Sequence, residues 1–155
     1  MEKSYTTEIH FPSTGNSTQS LSNTSHLAIG AHADDIEFFA LDGIWKCHQS
    51  STMQFCGLTL TDGAGSPRTG AFANTSNEEM IQIRKKEQNQ AADIGRYFAQ
   101  IQCGFNSLAV KNLQSLEPTD ELISWIQKCQ PKVVYTHSLA DNHFTHVAVA
   151  IRVIR

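Results

Sequence analysis

Three short apolar runs in this chain each stop at a cluster of polar residues, and that pattern constrains the fold more than any other feature. Leu27 to Ala31 runs into "HADD", Met53 to Leu60 into "TDGAGSPRTG", and Lys132 to Thr136 into "HSLADNHFTH". Apolar runs of this length, bounded by turn residues, read as buried strands. Between them lie stretches with helical spacing. Ile36 to His48 has apolar residues on a broad face, with Asp34 or Asp35 near its N-terminus. The stretch "SNEEMIQIRKKEQNQAADIGRYFAQ" is the clearest predicted helix: Ser76 and Glu79 have capping-box spacing, and Met80, Ile83, Ala91, Ile94 and Phe98 share one stripe. Thr119 to Cys129 predicts a helix that Pro131 ends, and another begins near His143. Residues 101–118 read as a short strand or an irregular connection.

Strands that alternate with helices at this spacing predict right-handed β-α-β crossovers, and so a three-layer α/β fold with a mainly parallel sheet. The 155 residues, 40% of them hydrophobic, suit one domain with a sizeable core. Residues 1–25 are rich in Ser, Thr and Asn and predict a polar lead-in, with room for a short strand around Thr6 to Phe11. The domain proper is expected over residues 26–155. A net charge of −3 is too mild to point to nucleic acid or an anionic membrane surface. The four cysteines form no CxxC pair and predict reduced, mostly buried thiols. No segment has the apolar length of a signal-peptide core or a membrane span, so the expectation is a cytoplasmic protein without a membrane span.

In such sheets ligands bind at the C-terminal edges of the strands. The three polar clusters fall there, so groups distant in the chain are expected to meet in one crevice. His32 and Asp35 can share one metal, and His143 and His146, about one helical turn apart, can reach the same point. Two His, one Asp and water make an open three-ligand site of the kind catalytic zinc uses. Such a metal lowers the pKa of its water, and Asp34 is placed to take the proton. Plainer readings stand beside this one. Asp34 or Asp35 also suits a helix cap, and the histidines, His137 included, also suit an ordinary surface, although His137 lies close enough to line the crevice.

The motifs then converge on one family. "AHADDIE" resembles the "AHPDDxE" signature of the PIG-L/LmbE-like zinc-dependent N-acetylglucosaminyl deacetylases, and "DNHFTH" resembles their "DxHPDH". "LTDGAGSPRTG", "IRKKEQNQAADIG" and "PKVVYTH" are similar to the loop, helix and strand between those signatures. The resemblance covers roughly residues 27–152. It implies a Rossmann-like fold and removal of an N-acetyl (acyl) group from an amino sugar or glycoconjugate by attack of a metal-bound water. By position, His32, Asp35 and His146 would hold Zn2+, with Fe2+ or Co2+ suiting the same ligands. Asp34 would be the general base. His143 would stabilise the oxyanion and protonate the leaving amine. Arg84 matches the family's helix arginine and is a candidate for substrate contact; it equally suits an ion pair with Glu87, and Gln88 could offer it only a neutral hydrogen bond.

The chain departs from the family at Ala33 and Phe144, where prolines are usual, and at Thr145, where an aspartate holds the catalytic histidine. A threonine supplies no charge, and Asp141, also a candidate at the substrate side of the site, can substitute. "HVAVAIRVIR" reads as an unfinished helix, so the expectation is a fold truncated at its C-terminus, with open apolar surface that leaves the chain marginally stable or oligomeric and a poor deacetylase of amino sugars. Two other functions fit the residues. One is a metal-dependent phosphohydrolase with the amides of "TDGAGSPRTG" and Arg68 as phosphate cradle. The other is a non-catalytic sugar- or nucleotide-binding module, although no GxGxxG follows the first strand.

Overall fold

A computed structural model of the chain describes residues 5–12 and 20–155. In chain order its elements are β1 (Glu8–His10), β2 (His26–Gly30), α1 (Asp35–Phe39), α2 (Leu41–His48), β3 (Phe55–Thr61), α3 (Asn77–Gly95), β4 (Ala99–Phe105), α4 (Ser107–Lys111), α5 (Glu117–Cys129), β5 (Val133–Thr136) and α6 (Phe144–Ile154). The sheet has five strands in the order β1-β4-β3-β2-β5. All neighbours are parallel except β1, which pairs antiparallel with β4. The chain therefore steps from β2 through β3 to β4 in one direction, then returns to the far side of β2 for β5. That reversal makes a topological switch point between β2 and β5, where α/β sheets open a crevice.

Alternation along β2 explains the layers. Leu27 and Ile29 face a core with Leu58, Ile101, Trp125 and Val149, under α4, α5 and α6. Ala28 faces the other way, towards Ile36, Ile44, Phe55 and Tyr97, under α1, α2 and α3. Burying a side chain such as Leu58 or Ile101 is worth roughly 1.5–3 kcal/mol, so the strands that carry them are the rigid part of the molecule. The α/β fold with a mainly parallel sheet is the one expected. Part of the polar lead-in belongs to it: β1 lies in the span where a short strand was allowed. Lys85 on α3 pairs with Glu8 at 2.7 Å, and His10 meets Asp93 at 2.8 Å. Residues 1–4 and 13–19 of the lead-in lie outside the described residues.

Three local expectations change. The single helix over 36–48 is two, because Ala40 leaves helical angles (φ −113°, ψ 15°) and turns α2 against β5. There Gly43 lies so close to Tyr135 that a Cβ would come within 2.7 Å of its ring. The long helix after Ser76 keeps its capping box but stops at Gly95, where Arg96 takes a left-handed conformation and closes it. Gln100 is already in β4. The buried line of α3 is also different: Met80, Gln88 and Ala92 face inward, while Ile94 is 81% exposed. An amide sits in the core-facing line because its hydrogen bonds are met there, as described below. Residues 101–118 resolve into most of β4, the short α4 and the start of α5.

Candidate metal centre

The switch point brings together side chains from opposite ends of the sequence. His32 and Asp35 follow β2; His137 directly follows β5; His143 is the N-cap of α6 and His146 lies in its first turn. The cleft above them measures about 410 Å³ and is lined by His32, Asp34, Arg84, Lys111, His143 and His146 among others. A larger cavity of about 630 Å³ opens at the opposite ends of the strands, beside Ser50, Arg96 and Lys132. Among the described residues no metal-ligating cluster lies there, so the chemistry belongs to the smaller cleft.

Donor atoms of three side chains lie close together. His32 Nδ1 lies 3.2 Å from His146 Nε2, His146 Nε2 lies 3.4 Å from Asp35 Oδ1, and His32 Nδ1 lies 3.3 Å from Asp35 Oδ2. Ligands at 2.0–2.1 Å from a tetrahedral ion stand about 3.3 Å from one another, and each pair of these side chains has a contact of that order, with Asp35 offering a different oxygen to each imidazole. Burial disfavours a charged Asp35, but the hydrogen bonds of His32, side chain and backbone, and the nearby His137 ring outweigh it and hold the carboxyl well below its usual range. The His32 backbone N–H adds a 2.7 Å bond to Asp35 Oδ2. A carboxylate that stays ionised is what a divalent cation requires.

Two further sets have one donor atom each close together: His32, His143 and His146, and Asp35, His137 and His146. His137 Nε2, however, accepts the backbone N–H of Ala31 at 2.9 Å. It also stands 3.3 Å from Asp35 Oδ2. One nitrogen cannot accept from Ala31 and also donate to Asp35, and the amide bond is the shorter. With that lone pair engaged, His137 is a buried supporting group. Its ring stacks on His146 at 4.0 Å and 9° and fixes the plane of that imidazole. The sequence offered one signal for it, its place directly after a strand.

Asp141 stands against His146. Its Oδ2 lies 3.0 Å from His146 Nδ1, and its Oδ1 accepts the His143 backbone N–H at 2.8 Å. A carboxylate behind a ligand imidazole fixes its tautomer and leaves Nε2 free for a metal. The expected substitution for the family aspartate thus has a different target, because the loop before α6 points Asp141 at His146. His143 is exposed, with its ring stacked on His146 at 4.4 Å and edge-on to His32 at 4.9 Å. Burial, then the neighbouring His146 and His32, lower its pKa. Thr145 is buried in α6.

Asp34 occupies the position before α1, but its side chain caps nothing. Its carboxylate takes a 2.9 Å hydrogen bond from Arg84 Nη2, which also reaches the Ala33 carbonyl at 2.8 Å. Arg84 pairs with Glu87 too, as the plainer reading of the helix had it. Gly63 lets the following loop close over this arginine: it has φ +79°, and a Cβ would come within 2.8 Å of Arg84 Cβ. Arg68 does something else. Its guanidinium donates to the carbonyls of Ala64, Ser66 and Thr75 and to Asn77 Oδ1, so it staples the loop and is not free to cradle a phosphate.

Solved structures share this architecture. The N,N'-diacetylchitobiose deacetylase of Pyrococcus horikoshii matches with a TM-score of 0.70 and 20% identity over 84% of this chain and 48% of that one. A deacetylase of teicoplanin biosynthesis, solved with teicoplanin, gives 0.65 and 18% over 84% and 64%. The 4-carboxy-2-hydroxymuconate hydratase of Pseudomonas putida gives 0.59 and 19% over 83% and 53%. The chain thus spans about half to two-thirds of the length of these structures, and at such identities the likeness concerns the fold alone. No curated protein matches the chain. The family model described as PIG-L, GlcNAc-PI de-N-acetylase, matches residues 27–155, and the chain belongs to that family.

Proposed function

We propose that the chain carries the metal centre of a hydrolase that removes an N-acetyl group from an amino sugar or glycoconjugate. The observation that carries this reading is the cluster of His32, Asp35 and His146, with pairwise contacts of 3.2–3.4 Å through both Asp35 oxygens, beside the carboxylate of Asp34. Zn2+ suits these ligands, as do Fe2+ and Co2+. When bound, such an ion supplies a Lewis acid for the scissile carbonyl and an acidified water. Asp34 then takes the proton of the attacking water, and Arg84 keeps its carboxylate turned to the cleft. His143 donates to the developing oxyanion and gives a proton to the leaving amine. Asp141 and His137 hold His146 in place from behind.

Family membership supports the deacetylase chemistry, and two of the structural neighbours are deacetylases of sugar-bearing compounds. The phosphohydrolase reading loses its phosphate cation with Arg68 tied into its own loop. All four cysteines are buried free thiols. That supports a reducing, cytoplasmic setting. No helix among the described residues is long and apolar enough to cross a membrane. Elemental analysis and acetate release from N-acetylated amino sugars test the assignment. His146→Ala should lose the metal. Asp34→Asn should keep a full equivalent and lose about a hundredfold or more in turnover. Metal retained in His146→Ala would sink the ligand set, and metal lost in Asp34→Asn would exchange the roles of Asp34 and Asp35.

A further inference from the structure

Asp34 stands at φ 78°, ψ −19°, in the left-handed region. A non-glycine residue there costs roughly 1–2 kcal/mol, and Asp is among the side chains that bear it best. Something must hold the turn. The Asp34 N–H donates to Gln88 Oε1 at 2.8 Å, and the other end of the same amide, Nε2, donates to Glu37 Oε1 at 3.0 Å. Tyr97 donates its hydroxyl to that Glu37 oxygen at 2.6 Å. Both of these hydrogen bonds fall on Oε1, while the buried Oε2 has no hydrogen-bond partner among the described residues. Gln88 is 1% exposed, on the line of α3 that an apolar residue would ordinarily fill. Burying an amide there is costly unless both its ends are used. In this orientation the Gln88 amide accepts from a backbone N–H and donates to a carboxylate at once.

We infer that Gln88, anchored by Glu37 and Tyr97, is a positioning residue that holds the backbone of Asp34 in its left-handed turn and so aims the carboxylate at the cleft. Arg84, one helical turn earlier on α3, holds the carboxylate itself. A single helix thus sets both the backbone and the side chain of Asp34. The inference rests on the reading of Asp34 as general base, and it separates from a merely structural role of Gln88 by coupling. A packing defect lowers turnover whatever stands at position 34; a positioning residue acts only through Asp34.

Two measurements test it. The first is backbone amide exchange by NMR on the metal-free chain, which needs no turnover. In Gln88→Leu the Asp34 amide should exchange about tenfold faster or more, while the amides of Leu27 and Ile29 in β2 keep their protection. The second compares acetate release from N-acetylglucosamine by the metal-loaded wild type, Gln88→Leu, Asp34→Asn and the double variant. Gln88→Leu should lower kcat with KM and metal content unchanged, and should cost nothing further in the Asp34→Asn background. Unchanged exchange at Asp34, or an equal loss in both backgrounds, overturns the inference. Should Gln88→Leu not fold, Tyr97→Phe keeps the ring against Phe55 and should still speed exchange at Asp34; no change there overturns it equally. Full turnover in Asp34→Asn would defeat the general-base reading and leave the exchange result to stand alone.

Discussion

Asp141 shows how much one side chain's direction decides. Thr145 stands where the family's aspartate is usual, and Asp141 was the natural replacement for the charge behind His143. The structure gives that charge to His146, through a 3.0 Å contact at Nδ1. The expected consequence is on metal affinity. Asp141→Asn should weaken metal binding about 10–100-fold, the range for such outer partners, as read by competition with a chromophoric chelator. If affinity holds and only turnover falls, Asp141 serves His143 and the geometry has been misread.

At the scale of elements, α6 does two tasks. Its start carries His143 and His146, and near its end Arg152 is buried against the segment that follows β4. The guanidinium donates to the carbonyls of Ala109, Val110, Asn112 and Ser115 and to Thr119 Oγ1. Most of these are the orphan acceptors at the end of α4, where a cation is favoured. Burial lowers the pKa of Arg152. The contact locks α6 to α4, whose Ser107 and Lys111 line the cleft. Arg152→Met would fill the space and leave several buried carbonyls unmet. It should cost about 3 kcal/mol or more, a fall of roughly 10 °C in Tm for a domain of this size. An unchanged melt would mean that water replaces the guanidinium.

Across the whole molecule, the exposed β5 edge is the least finished surface. Among the described residues no strand pairs beyond it, and Val133 and Val134 are exposed. Phe38, Leu41 and Trp45, on the neighbouring α1 and α2, are exposed as well. An open edge with apolar flanks is a template for association. Light scattering should show a dimer or larger species, and Val134→Lys should shift it towards monomer. A monomer at all concentrations, with a cooperative melt, would remove this expectation.

The sequence by itself determined the alternation of strands and helices, the capping box at Ser76, the strand-end position of each polar cluster and the family that the motifs resemble. These are local or one-dimensional: apolar runs, turn residues and residue spacing encode them directly. The break at Ala40 escaped it, because the pressure of Tyr135 on Gly43 comes from a strand almost a hundred residues away. So did the inward face of α3, where periodicity favours Ile94 but hydrogen bonds to Asp34 and Glu37 place Gln88. Only the tertiary structure decided which carboxylate stands behind which imidazole, that Arg68 is spent on its own loop, and that His137 supports the site with its lone pair taken by Ala31. Each of these depends on the direction of a side chain across the switch point, and direction is set by the packing of elements that the sequence orders but does not orient.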